Sequence, residues 1–230
     1  NPLEYWSNNI IPVLNLIDIM QLNNTKNIIF SSSAAVYSPL NKSPINEKGN
    51  LGPISPYGKT KYCIEEILID IFKSTSESWR IVNLRYFNPI GAHPSGLIGE
   101  MPMGIPNNIF PLINNVASRQ IDSLKIFGND WDTKDGTPVR DYIHVMDLVH
   151  GHIMAYEYIT KEKSQVLTLN LGTGVGTSVL ELINTFQKVN NVNVPYVFVK
   201  KREGDLSEIF AENSLAFKLF GWYPKKNLSD

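Results

Sequence analysis

Tyr57 and Lys61 stand four residues apart in Tyr57-Gly58-Lys59-Thr60-Lys61, a spacing that sets a phenol and an ammonium on one face of a helix. A tyrosine ionises near pH ~10 and is a poor base at neutrality, but a cation beside it favours the phenolate and makes it a usable acid/base. Tyr-x-x-x-Lys also recurs by coincidence, so its surroundings matter. Upstream, Phe30 leads into Ser31-Ser32-Ser33, hydroxyls that could hold a reacting oxygen or merely supply turn chemistry. Arg140 could form a structural ion pair with Asp141 or Asp147. Phe127 and Tyr142 are of types that fill cores more often than they touch ligands. His93 and His144 have no metal-ligand spacing, and no metal site is expected.

These groups must be positioned by something, and the pattern of apolar residues says what. Val13, Leu14, Leu16, Ile17, Ile19 and Met20 predict a helix, which Pro12 could kink, and Asn27–Ser32 then reads as a short buried strand. After a loop over 38–54, Ser55 is a natural N-cap and Pro56 a natural first residue for a helix reaching about Lys73. Strands follow at Arg80–Tyr86, Leu124–Phe127, Arg140–Val145, Val166–Leu171 and Tyr196–Val199, with helices over 107–119, Met146–Ile159 and Ser178–Val189. Such alternation predicts an α/β protein with a largely parallel sheet, whose ligands sit beyond the carboxyl ends of strands. The residues after Phe30, Arg85 and Leu171 are therefore where chemistry is expected. No repeat of fixed period is present.

Composition narrows the classes further. A net charge of -1 offers no general attraction to a polyanion, so neither nucleic acid nor a membrane surface is an expected partner. The one basic cluster, Lys200-Lys201-Arg202, reads by itself as a solvated loop. Cys63 is the single cysteine, which rules out an internal disulfide and fits a reducing compartment, the cytoplasm. Charged residues and prolines interrupt every apolar stretch before it could span a bilayer.

Ser33, Tyr57 and Lys61 together resemble the active site of the extended short-chain dehydrogenase/reductase family, a serine after one strand and Tyr-x-x-x-Lys on the next helix. Nucleotide-sugar dehydratases of that family carry an acid after the serine, where this chain has Ala34-Ala35. The longer runs Arg85 to Gly96, Gly104 to Asn108, Ile126 to Asp130, Asp135 to Thr137, Val139 to Val145 and Arg202 to Leu206 resemble the family's UDP-hexose 4-epimerases in particular. The resemblance covers nearly the whole chain. It implies NAD as cofactor, a UDP-sugar as substrate and a homodimer in the full-length protein, with UDP-glucose and UDP-galactose interconverted by oxidation and re-reduction at carbon 4. N-acetylated hexosamines are possible further substrates. Tyr57 would be the acid/base, Lys61 would hold the nicotinamide ribose and lower the phenol's pKa, and Ser33 would bind the reacting oxygen. Asn8 and Phe87 would join them at NAD. Asn88, Asn108, Ile109, Lys125, Phe127, Arg140, Arg202 and Asp205 would hold the UDP-sugar, with Ile209 lining the sugar pocket where the family varies.

The implied fold is a doubly wound, Rossmann-type parallel sheet with a smaller C-terminal α/β substrate domain. Residues 1–89 would be the second half of the NAD-binding domain and 90–230 the UDP-sugar domain, some strands of which return to the first sheet. Doubly wound NAD enzymes have a glycine-rich turn at the pyrophosphate, and none precedes Asn8, so roughly the family's first ninety residues, its first βαβ units, and some C-terminal tail are expected to lie outside this sequence. Gly172-Thr173-Gly174-Val175-Gly176 matches a later segment of the family instead. The alternatives are another nucleotide-sugar epimerase or dehydratase of the same family, or an inactive NAD-binding fragment.

Overall fold

The computed structural model describes residues 1–230 apart from Ser76, Glu77 and Ile105, so the Ile105 of the Gly104 to Asn108 motif lies outside the described residues. Helix α1 (Pro2–Leu22) begins where the Asn1 side chain accepts the Leu3 amide, and it continues through Pro12 without a break. Pro12 has no N–H to offer the Asn8 carbonyl, a loss water can make good because both residues are exposed. Strand β1 (Asn27–Ser33) ends in a single 3₁₀ turn, Ala34–Val36. Helix α2 (Pro56–Ser74) starts as its sequence directs: the Ser55 hydroxyl caps the Gly58 amide at 3.0 Å and Pro56 takes the first turn.

Strand β2 (Arg80–Tyr86) pairs in parallel with β1 on one side and with β7 (Gln165–Leu171) on the other. Residues 81–85 of β2 are all buried, as a parallel strand covered on both faces requires. On one face Ile81 meets α1 and α2 through Ile17, Met20, Ile64 and Leu68, with Trp79 beside them. On the other, Val82, Leu84, Leu169 and Leu171 meet α4 (Val145–Ile159) and α6 (Ser214–Phe220) through Leu148, Ala155, Ile159 and Ala216, joined by Trp222.

A second core lies beyond this sheet. Ile113 and Val116 of α3 (Ile109–Ala117), Leu124 and Ile126 of β4 (Leu124–Phe127), and Leu182 and Ile183 of α5 (Val179–Asn190) close around Tyr142. The strands here are short. β3 (Asn88–Ile90) pairs with β6 (Tyr142–His144), β4 with β9 (Tyr196–Val199), and β5 (Val139–Arg140) with both β8 (Thr177–Ser178) and β10 (Glu208–Ile209). The stretch expected as one strand from Arg140 to Val145 is thus two, divided at Asp141. That carboxylate is buried and accepts the amides of Thr173, Gly174 and Ala211 and the Thr173 hydroxyl. It ties β5 to the Gly-rich turn and to the segment after β10. A Cβ on Gly172 would lie 2.5 Å from Asp141 Oδ2, so this turn is glycine-rich in order to close on a carboxylate. Its amides are spent there.

Candidate functional site

Ser33 is the last residue of β1, and Tyr57 and Lys61 occupy the first turns of α2. The helix approaches closely because position 58 is glycine: a Cβ there would run into the Ala35 carbonyl oxygen and the Pro53 ring. Ser33 Oγ accepts the Ala35 amide at 3.2 Å, which leaves its own proton for an acceptor at the mouth of the site. Behind Tyr57, the Thr60 hydroxyl donates to the Tyr57 carbonyl at 2.8 Å and accepts from Asn9 Nδ2 at 2.7 Å, fastening α1 to the catalytic turn. Ser32 points to the opposite face, where its hydroxyl meets Glu65. Glu65 also takes both arms of Arg85, at 2.9 and 2.5 Å, in a fully buried ion pair that locks α2 onto β2.

Lys61 Nζ lies 5.7 Å from the Tyr57 ring centroid and donates to the Ser31 carbonyl at 3.0 Å, its one hydrogen bond among the described residues. Two of its three protons are left for a ligand, which fits the diol of a ribose. Burial pushes the Tyr57 phenol above its ordinary range, and the nearby phenols of Tyr86 and Tyr5 add to this while Ser33 opposes it. Burial also pulls Lys61 down. Within this chain, burial and then Tyr86 raise Tyr57 the most, and Ser33 is what opposes them. Phe87 is buried against Ala34 and Val36, and Asn88, next to it, passes into a separate cavity. Asn8 is exposed on α1, and it is the neighbouring Asn9 that reaches the α2 turn.

That cavity, of about 210 Å³, gathers Asn88, Asn108, Ile109, Lys125, Phe127, Arg140, Arg202 and Asp205 along its walls. The Arg202 guanidinium carbon lies over the Phe127 ring, 3.7 Å from its centroid, while Lys201 sits 4.5 Å over Trp131 and pairs with Asp130 at 3.0 Å. Gly128, at φ +90, admits both: a Cβ there would meet Trp131 Nε1 and, at 2.6 Å, Lys201 Cγ. The basic cluster is thus half stacked on aromatic rings and not wholly solvated. Arg140 pairs with Asp205 at 3.5 Å, since Asp141 is taken by its four donors and Asp147 by the Lys225 and Lys226 amides. Burial pulls Arg140 down against the pull of Asp205, and it pushes the adjoining Tyr142 up to about 12. Ile209 does not line the cavity. It pairs with Arg140 across β5 and β10 and packs on the cluster that holds Ala34 and Phe87.

His144 caps α4, accepting the Met146 amide, and no group of metal-ligating side chains occurs among the described residues. Asn9, Glu65, Tyr86 and His152 sit at or behind the site without a signal of their own at sequence level. Ser31 is among the three hydroxyls after Phe30, and it shares a strand face with Ser33 two residues on.

Residues 1–172 match the NAD dependent epimerase/dehydratase family. A rice protein, UDP-glucose 4-epimerase 4, is 47% identical over 229 residues that take in all of this chain and 62% of the relative. The UDP-glucose 4-epimerase of Bacillus subtilis is likewise 47% identical, with 67% of its length covered. Among solved structures, the UDP-glucose-4-epimerase of Stenotrophomonas maltophila with bound NAD and formylated UDP-arabinopyranose matches all of this chain and 68% of its own, at TM-score 0.95 and 42% identity. The chain thus spans about two thirds of the length of the proteins it is similar to.

Proposed function

The chain belongs to the NAD dependent epimerase/dehydratase family, and from that membership and the geometry above we propose that it carries the acid/base and sugar-nucleotide sites of a UDP-glucose 4-epimerase. One observation carries the reading: Tyr57 and Lys61 share a face of the first turns of α2, with Ser33 at the end of β1, and Phe87-Asn88 leads on into the cavity of Arg140, Arg202 and Phe127. The residues fit the ribose end of NAD, because Lys61 makes one hydrogen bond among the described residues and has two protons to spare. The glycine-rich turn after β7 does not supply a pyrophosphate site, since its Thr173 and Gly174 amides are held by Asp141.

When bound, NAD supplies the oxidant that accepts hydrogen from carbon 4 and the reductant that returns it. The Tyr57 oxygen takes the proton of the 4-hydroxyl and gives it back, Ser33 holds that oxygen, and the Lys61 ammonium favours the phenolate. Arg140 and Arg202 anchor the diphosphate while the uracil lies against Phe127, so the sugar turns without the nucleotide leaving. Ala34 and Ala35 follow Ser33 where dehydration would need an acid, which supports epimerisation over elimination. Exchange between UDP-glucose and UDP-galactose would serve galactose use.

A homodimer is supported by the outward apolar residues of α1, among them Ile11, Leu14 and Ile19. A cytoplasmic site is supported by the unpaired Cys63 thiol, and no helix among the described residues is long and apolar enough to cross a membrane. Incubating the full-length protein with UDP-galactose and NAD tests the function: UDP-glucose should form until the two equilibrate. Formation of a dehydrated sugar, or no conversion, would refute it.

A further inference from the structure

Helix α1 sends two side chains to the first turns of α2. Its inward stripe runs Tyr5, Asn9, Val13, Ile17 and Met20, at the three- and four-residue steps of one helix face. Val13, Ile17 and Met20 pack in the core with Ile64 and Leu68. Tyr5 and Asn9 stand outside that core, and both lead to Tyr57.

The two contacts hold different parts of that residue. Asn9 acts on the main chain: its Nδ2 donates to the Thr60 hydroxyl at 2.7 Å, and that hydroxyl donates to the Tyr57 carbonyl at 2.8 Å. Tyr5 acts on the ring. The Tyr5 and Tyr57 rings form a T-shaped pair, with centroids 6.1 Å apart and planes at 64°, a geometry in which aromatic rings attract. Among the described residues the hydrogen bonds that reach Tyr57 end on its main chain, so its ring is oriented by packing. The phenol oxygen lies at the far end of that ring, and a swing about χ1 carries the oxygen with it. A misplacement of about 1 Å can cost on the order of a hundredfold in rate.

We propose that Tyr5 is a positioning residue for the acid/base: its ring, held in place by the Asn9–Thr60 tie between α1 and α2, confines the Tyr57 ring to the orientation in which the phenol exchanges a proton with the substrate hydroxyl. The inference rests on Tyr57 being the acid/base. Tyr5 acts through Tyr57 and not on the substrate. Its own hydroxyl makes no hydrogen bond among the described residues, so the ring and not the phenol is the part that acts.

Steady-state kinetics of the full-length protein with UDP-galactose, read beside the motion of the Tyr57 ring, test this. Tyr5→Leu keeps an apolar side chain but removes the flat ring, and it should lower kcat about two- to tenfold while KM and the thermal midpoint change little. Tyr5→Phe, which restores the ring without the hydroxyl, should return kcat to within about twofold of wild type. Asn9→Ala cuts the tie without touching either ring and should lower kcat in the same direction. Carbon-13 relaxation of the Tyr57 ring, assigned by its loss in Tyr57→Phe, reads the positioning without turnover: the ring should be held in wild type and Tyr5→Phe and move more freely in Tyr5→Leu and Asn9→Ala. An unchanged kcat in folded Tyr5→Leu, or a Tyr57 ring no more mobile there, would overturn the proposal. So would a Tyr5→Phe variant as slow as Tyr5→Leu, which would give the role to the hydroxyl. Failure of the acid/base reading shows separately, as full activity in Tyr57→Phe.

Discussion

The wall of the site made by β1 and α2 and the wall made by β4, β5 and the 200–209 segment are built on opposite principles. On the first, every group is fixed by something buried: Ser33 by the Ala35 amide, Tyr57 by a glycine-enabled helix contact, α2 itself by the Glu65–Arg85 pair. On the second, Lys125 and Arg202 are exposed, Arg140 and Asp205 meet at a loose 3.5 Å, and Arg202 rests on a ring without a carboxylate partner among the described residues. Proton transfer demands atoms held within a fraction of an ångström. Gripping a diphosphate demands charge that can follow the ligand, which long side chains on a half-open cavity provide. The rigid wall should therefore govern turnover and the adjustable wall affinity.

Four substitutions in the full-length protein put that division under strain. The largest effect belongs to Tyr57→Phe, which should slow epimerisation by roughly two to four orders of magnitude while UDP affinity stays near wild type. Equal losses in both, by steady-state kinetics and calorimetry, would mean that Tyr57 is structural. Next comes Glu65→Gln, which leaves Arg85 buried without its counter-charge at a cost of about 3–5 kcal/mol. Thermal unfolding should drop by roughly 10 °C, and any residual activity should show a depressed kcat with KM little changed.

On the other wall, Arg202→Leu removes a charge-assisted contact of about 1.5–3 kcal/mol, so KM for the UDP-sugar should rise about ten- to a hundredfold with kcat nearly intact. A fall in kcat instead would erase the distinction between the walls. The smallest effect is one of specificity. Ile209 is stiff at its β-carbon and, at the end of the adjustable wall, packs against the cluster that holds Ala34 and Phe87. With Ile there, UDP-N-acetylglucosamine should turn over slowly beside UDP-glucose. Ile209→Tyr should lower kcat/KM for the acetylated sugar alone by roughly ten- to two-hundredfold, the equivalent of ~1–3 kcal/mol of crowding. An unchanged ratio of the two substrates would show that Ile209 does not face the sugar.

The rigid wall was the more legible one in sequence, for a physical reason. Ser55-Pro56 announces a helix start and Asn27–Ser32 a buried strand, so the placement of Tyr57 and Lys61 near Ser33 follows from local rules. Glu65 and Arg85 carried no such signal, because their pairing depends on which helix lies across which strand. The same holds for Asn9 on Thr60 and His152 on Ser31. β3, β8 and β10 have two or three residues each, too few to show an alternation. The gathering of Arg140, Arg202 and Phe127 at one cavity was foreseeable only from resemblance, since elements from three parts of the chain bring them together. Asn8 stays exposed on α1 in this chain.

Transient oxidation at carbon 4 is the core of the functional reading, and isotope retention tests it most directly. UDP-galactose bearing deuterium on carbon 4, converted by the full-length protein in ordinary water, should give UDP-glucose that keeps the deuterium on carbon 4, because the same hydrogen leaves and returns inside a closed site. UDP-glucose with solvent hydrogen at carbon 4 would show that the proton is abstracted from carbon and not from the hydroxyl, and Tyr57 would then have another role.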